Sequence, residues 1–321
     1  MRNVMKLKVS FVGIIFFIVL VLINCAKQDD FPVLKGLYLG QKPPGMTPEI
    51  FVPGVLNNDK TGAFCTIFSP EGDEFYFTYY QKSEEEIPGG IAWMRMVAGV
   101  WTKPEILPFD SPTYENDVCM SYDGSRLIFR SWRPLPDGQT PKDHSYLWFA
   151  ERTKKGWESV LPLLCGGMPV RTGYPSISQD DTLYFAHSRN KITGIYRSRL
   201  VNGVYQTPEH VYTVLEDRVT EGDMYVASDE SYMIIACYNH PENTGGNLND
   251  LYIVFRKDHG LWTKPIKFGS RINTRYGENC PQVSPDGKYF FFHRYDPKTK
   301  TGNIYWVDVK IIEDLKPEEL K

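Results

Sequence analysis

The 321-residue sequence predicts an all-β fold: a five-bladed β-propeller of four-stranded antiparallel blades, with six blades as the alternative count. Three observations carry that expectation. One motif recurs five times, about fifty residues apart. Each copy is followed by further strand-like runs. A segment near the N-terminus matches the strand that the last repeat lacks.

The chain opens on a leader. Residues 1–8 carry Arg2, Lys6 and Lys8 and no acid, and an apolar run over 9–23 ends at Asn24-Cys25. A basic stretch before a short apolar one is a secretory signal. The run is also shorter than the ~20 residues of a comfortable membrane span. The tetrapeptide Leu-Ile-Asn-Cys at 22–25 resembles the bacterial lipobox, with Asn24 where that family has a small residue. The resemblance implies that Cys25 is lipidated and becomes the mature N-terminus. The alternative is an uncleaved signal anchor with an incidental cysteine. Residues 1–25 are thus expected as a lipoprotein signal, 26–43 as a tether with a disordered polar start, and 44–321 as the propeller.

The repeat motif is an apolar stretch, a Ser-Pro-Asp-Gly turn or a variant of it, then an aromatic run. It occupies 64–78, 116–130, 173–186, 222–236 and 279–293, with Ser69, Ser121, Ser178, Ala227 and Ser284 as anchor positions. Two β-rich runs around a Gly- or Asp-containing turn predict a hairpin. Third strands are expected from Ile91, Tyr146, Gly194, Asp250 and Asn303. Fourth strands are expected from Gly99, Lys155, Gly203 and Gly260, mostly with a proline. Proline suits an edge strand, where no ladder donor is required. Four antiparallel strands in each repeat make a propeller blade. The fifth repeat ends before a fourth strand, and residues 44–54 resemble the fourth strand of the first repeat. The N-terminal segment is therefore expected to close the ring in the last blade and so remove an open sheet edge.

Composition agrees. Tyr (20) and Phe (18) favour pleated surfaces. A net charge of −3 argues against a general nucleic-acid partner, which needs a basic excess.

These repeats resemble the PD-type, WD-like repeat of the TolB family of bacterial envelope proteins, over residues 44–308. The resemblance implies a propeller and an extracytoplasmic setting. TolB itself has six blades and an extra N-terminal domain, which this sequence lacks, so TolB's role does not follow. Lys27 and Gln28 lack the aspartate that retains lipoproteins in the inner membrane of enteric bacteria. The expected location is therefore the cell envelope, at the outer membrane.

A site is expected on the face where the first strands begin and the second strands end. Glu115, Glu221 and Glu278 recur six residues before the anchor, with Asp117 and Asp223 beside the first two. They predict a partial carboxylate ring able to take a basic group or a calcium ion, which prefers several oxygens. The other reading is that each carboxylate ties to neighbouring loops. Arg130, Arg133, His293 and Arg294 at the second-strand ends, with Arg171, suit acidic or sugar-like ligands by bidentate bonding and stacking. Equally, those arginines can pair with the glutamates. No dedicated cofactor is expected.

Nucleophile-elbow, zincin and P-loop patterns are missing from the sequence. The Ser-Pro-Asp-Gly turns only loosely resemble a sialidase Asp-box. Five-bladed glycosidases use acids near the channel mouth, and Glu115, Glu221 and Glu278 are the candidates for that role. Cys65 and Cys280 share a repeat position in blades that closure makes neighbours, so they either pair or sit as buried thiols. The leading expectation is a membrane-anchored, non-catalytic module that binds an envelope protein or a glycan. The alternatives are a glycan-directed hydrolase and a purely structural module.

Overall fold

A computed structural model describes residues 31–59, 61–82, 89–109, 111, 113–139, 145–171, 173–189, 192–212 and 220–321, without the side chains of 188, 189, 192, 193, 220 and 221. The leader with Cys25, and the Glu221 side chain, lie outside the described residues. Two units are distinguished, Met1–Pro32 and Val33–Lys321. The second is the propeller. Among the described residues no helix is long and apolar enough to cross a membrane.

Among the described residues six sheets are present, the number of the alternative reading, and five of them each carry one repeat. Their inner strands are Thr61–Phe68, Glu115–Met120, Ser176–Ile177, Thr220–Val226 and Gly277–Val283. Each inner strand touches the next, and the last touches the first, so five strands surround the axis. The sixth sheet consists of two-residue strands, Leu164–Cys165, Met168–Pro169, Leu200–Val201 and Val204–Tyr205, from excursions of the second and third repeats.

The hairpin turns explain the repeat motif. Ser69, Ser121, Ser178 and Ser284 each donate their hydroxyl to the aspartate of the turn, at 2.6 to 2.9 Å. In three of these repeats the serine oxygen also accepts the N–H that opens the second strand, Glu74, Arg126 or Tyr289. A side chain bonding to nearby backbone is what makes Ser and Asp turn residues. The fourth repeat has Ala227 at this position and closes on its backbone, with Ala227 N–H donating to Tyr232 O.

In the first, third and fourth repeats the fourth strand is broken at its proline, while in the second it runs unbroken over Gly156–Pro162. In the first repeat the outer edge splits into Val100–Trp101 and Glu105–Ile106. Where proline interrupts the ladder, a threonine hydroxyl accepts the stranded N–H: Arg95 N–H to Thr102 and Phe255 N–H to Thr263, both at 3.0 Å.

Closure occurs at the predicted place. Glu49–Ile50 pairs antiparallel with Trp306 and Tyr305 of the last blade, and Phe51 N–H donates to Ile304 O. The buried Phe51 ring then meets Phe68 and Phe75 of the first blade and Phe291 and Trp306 of the fifth. Residues 33–43, expected as tether, lie along this seam. Leu34 O accepts from Trp101 N–H, and Gly36 O accepts from the Trp101 indole. The Tyr38 ring inserts among Phe68, Tyr289 and Trp306 and donates its hydroxyl to Asp286 at 2.6 Å. The folded unit thus starts earlier than the expected boundary at 44.

Candidate functional site

The axis of the propeller is plugged by one side chain from each blade: Cys65, Asp117, Tyr174, Asp223 and Cys280. All five stand four residues before their anchor position, and all five line one small cavity of about 30 Å³. Backbone irregularity aims them there. The pairing of first and second strands skips a step after Phe64, Asn116, Glu221 and Asn279. Cys65, Asp117, Tyr174 and Cys280 all have positive φ, between 45° and 59°. A β-bulge bends its strand and re-aims a side chain. Non-glycine residues held in the left-handed region cluster at functional sites.

Ring members are tied to one another. Cys65 and Cys280 form a disulfide, with Cα atoms 4.9 Å apart. The Cys65 sulfur lies 3.4 Å from an Asp117 oxygen. Asp223 accepts the Cys280 N–H at 2.7 Å, and Asp117 accepts the backbone N–H of Tyr174. Each carboxylate therefore caps the strand of the next blade. Asp223 Oδ1 is buried and has no partner among the described residues.

The electrostatics follow from this crowding. Burial pushes the Asp117 carboxyl up to about 6, against the pull of the Arg130 guanidinium. Burial, followed by repulsion from Asp117, pushes Asp223 up to about 7. Two carboxylates at one dry site cannot both ionise freely. Arg130 is the counter-charge: it reaches Asp117 at 3.3 Å, donates Nε–H to Ser145 and lies over the rings of Trp132 and Tyr174.

The other sequence-selected residues are placed as follows. Glu115 is buried against Arg133 and accepts from Ser131, while the Arg133 guanidinium lies over Trp148. Glu278 is buried, accepting from Arg294 at 2.8 Å and from the Thr274 hydroxyl and N–H; Arg294 lies over Tyr305. Both pairs join an inner strand to the second strand of the same blade, so the carboxylates and arginines expected to meet a ligand meet each other. A calcium ion at the mouth would have to displace those arginines. His293 is buried, bonded through Nδ1 to Asn279 Oδ1 at 2.8 Å, and burial lowers its pKa to about 4. Arg171 is exposed, and its carbonyl accepts from His187. Among the selected acids whose side chains are described, Asp117 and Asp223 alone reach the axis.

Two tyrosine rings, Tyr80 and Tyr238, pack against the first-strand starts of the first and fourth repeats. Glycines at the strand starts make room: a Cβ on Gly62 would fall 2.0 Å from the Tyr80 ring, and one on Gly222 would fall 2.6 Å from that of Tyr238. Below the ring the channel widens into an open funnel of about 520 Å³ at the hairpin-turn face. Its walls include Phe68, Met120, Tyr122, Tyr225, Asp229, Tyr232 and Gln282. Tyr122 stands at 59% exposure, while Tyr225 and Tyr232 are held inward as a pair of rings 6.2 Å apart. Sequence reasoning placed these turns on the far side from the site and missed both Tyr174 and the ring. The signal was present, since all five ring positions share one offset from the anchor.

No protein-family model and no curated protein matches this sequence. Among solved structures, a TolB-type protein from Agrobacterium tumefaciens aligns with a TM-score of 0.46 at 16% identity, over 83% of this chain and 86% of that one. XC5397 from Xanthomonas campestris, described as a gluconolactonase, aligns at 0.42 and 10% identity, over 86% and 96%. Puromycin hydrolase aligns at 0.45 and 12%, and there the match covers only 38% of its chain. None of these likenesses assigns an activity to this chain.

Proposed function

We propose that this protein is a lipid-anchored envelope protein whose propeller binds an envelope ligand, a protein segment or a glycan, without catalysis. The observation that carries the reading is the axial funnel, walled by the hairpin turns and floored by the five-residue ring. A rigid scaffold that presents turns around one concavity is a usual layout for a binding surface. The wall chemistry fits: tyrosine rings supply flat contact area with a polar edge.

Two further observations favour binding over hydrolysis. Glu115 and Glu278, the carboxylates a glycosidase would use, are held by Arg133 and Arg294. Ser121 and Ser284, two of the four serines at the funnel, are donors to the turn aspartates. The lipid anchor rests on the leader and on Cys25, and the outer membrane on the residues that follow.

The test uses the full chain, purified in detergent and immobilised, with envelope extract passed over it. A retained ligand that is lost from a Tyr122→Ala protein supports the reading. Protease or glycosidase treatment of the extract tells which chemical class is bound. Turnover of a glycoside or lactone panel by the wild type would overturn it.

A further inference from the structure

The ring holds more ligand chemistry than a structural plug needs. The sulfurs of Cys65 and Cys280 and a carboxylate oxygen of Asp223 all lie within 4.8 Å of one another. Asp117 touches the Cys65 sulfur from the other side, at 3.4 Å. Asp223 is 4% exposed, and its Oδ1 has no partner among the described residues, although nearly all buried polar atoms find one. The cavity these residues line, about 30 Å³, is large enough for one ion or water.

We propose that reduction of the Cys65–Cys280 disulfide turns the centre of the ring into a zinc site, with Cys65, Cys280 and Asp223 as ligands and Asp117 completing the shell. Two thiolates with carboxylate oxygens suit a borderline-soft cation in tetrahedral geometry, with Zn–S near 2.3 Å and Zn–O near 2.0–2.2 Å. Such bonds separate the two sulfurs by about 3.8 Å, so the site exists only once the S–S bond is open. Opening it takes a dithiol reductant. One of its thiolates attacks a ring sulfur, and the mixed disulfide is resolved by its second thiolate. The reductant leaves as its own disulfide, and two electrons and two protons are left on Cys65 and Cys280. Zinc then displaces both thiol protons. Cys65 is the more exposed of the two cysteines, so attack at its sulfur is the expected entry. The ring persists through this step because closure does not depend on the disulfide alone. The strand Glu49–Ile50 and the seam around Phe51 and Tyr38 also hold the first blade to the fifth. The site lies at the floor of the funnel, and its test reads metal binding rather than ligand capture.

The experiment titrates cobalt(II), a spectroscopic stand-in for zinc, into the full chain with and without phosphine reduction under anaerobic conditions. The expected result is a thiolate-to-cobalt charge-transfer band at one equivalent, seen only after reduction and abolished by zinc. Asp223→Asn should weaken cobalt binding by about tenfold or more. Circular dichroism follows the fold, and zinc should raise the melting temperature of the reduced protein and not that of the oxidised one. Asp117→Asn serves as the second variant if Asp223→Asn does not fold. The proposal is overturned by the absence of the band, by unfolding on reduction, or by an affinity that the aspartate variant leaves unchanged. It is equally overturned by zinc stabilising the oxidised protein to the same degree.

Discussion

Cys65 and Cys280 are 215 residues apart in sequence and bonded at the axis, joining the inner strand of the first blade to that of the fifth. The bond spans the seam where a propeller ring is weakest, because only non-covalent contacts would otherwise join first and last blades. A loop of that length confers roughly 5 kcal/mol in the chain-entropy model, with measured losses nearer 2–5. Cys65→Ser is therefore expected to lower the unfolding free energy by an amount in that range, seen as a lower denaturant midpoint. Denaturation of wild type and variant without reductant checks it, and the two should converge once reductant is added without metal.

The seam also depends on Phe51 and Tyr38. Phe51→Ala removes a buried ring that touches both blades, and about 3–5 kcal/mol of stability should go with it. Tyr38→Phe keeps the ring contacts and removes the bond to Asp286, a change of about 1 kcal/mol. The contrast, read by chemical denaturation, separates packing from hydrogen bonding at the latch.

Glu115→Gln leaves Arg133 buried without its counter-charge, and Glu278→Gln does the same to Arg294. Breaking one side of a buried ion pair costs about 3–5 kcal/mol. Both variants should lose stability and still capture ligand as the wild type does. A variant of normal stability that loses capture would return these glutamates to the binding site.

His293 gives a pH dependence with a defined sign. Its folded pKa is lowered to about 4 by burial, below the ordinary value of 6.5. The unfolded chain therefore binds the proton first. The contribution of the neutral ring is fully present above pH 6.5 and is lost as pH falls toward 4. Relative to His293→Gln, the wild type should lose roughly 2–3 kcal/mol between pH 7 and pH 4. Denaturant unfolding of the two proteins at both pH values gives that difference directly.

Much of the fold was legible because its determinants are local. The Ser–Asp turn clamps recur in four repeats, with the aspartate two residues after the serine in three and four after it in the first, and the outer strand at Glu49 is a close match to that at Glu105. The closing strand could thus be assigned to the last blade before any coordinates. The latch at 33–43 could not, since Tyr38 is held by aromatic partners more than two hundred residues away, and no local pattern marks that. The axial ring escaped for another reason. Its positions carry Cys, Asp, Tyr, Asp and Cys, so difference of residue type hides an identity of place. The glutamates and arginines were found as residues, but whether they face a ligand or each other depends on side-chain geometry that spacing does not encode.

The funnel is the centre of the functional account, and ligand capture by the full-length protein tests it most directly. Immobilised wild type should retain a specific component of envelope extract, and Tyr122→Ala, which leaves an exposed turn residue shortened and the core untouched, should lose it with an unchanged melting temperature. Equal retention by both proteins would contradict the account.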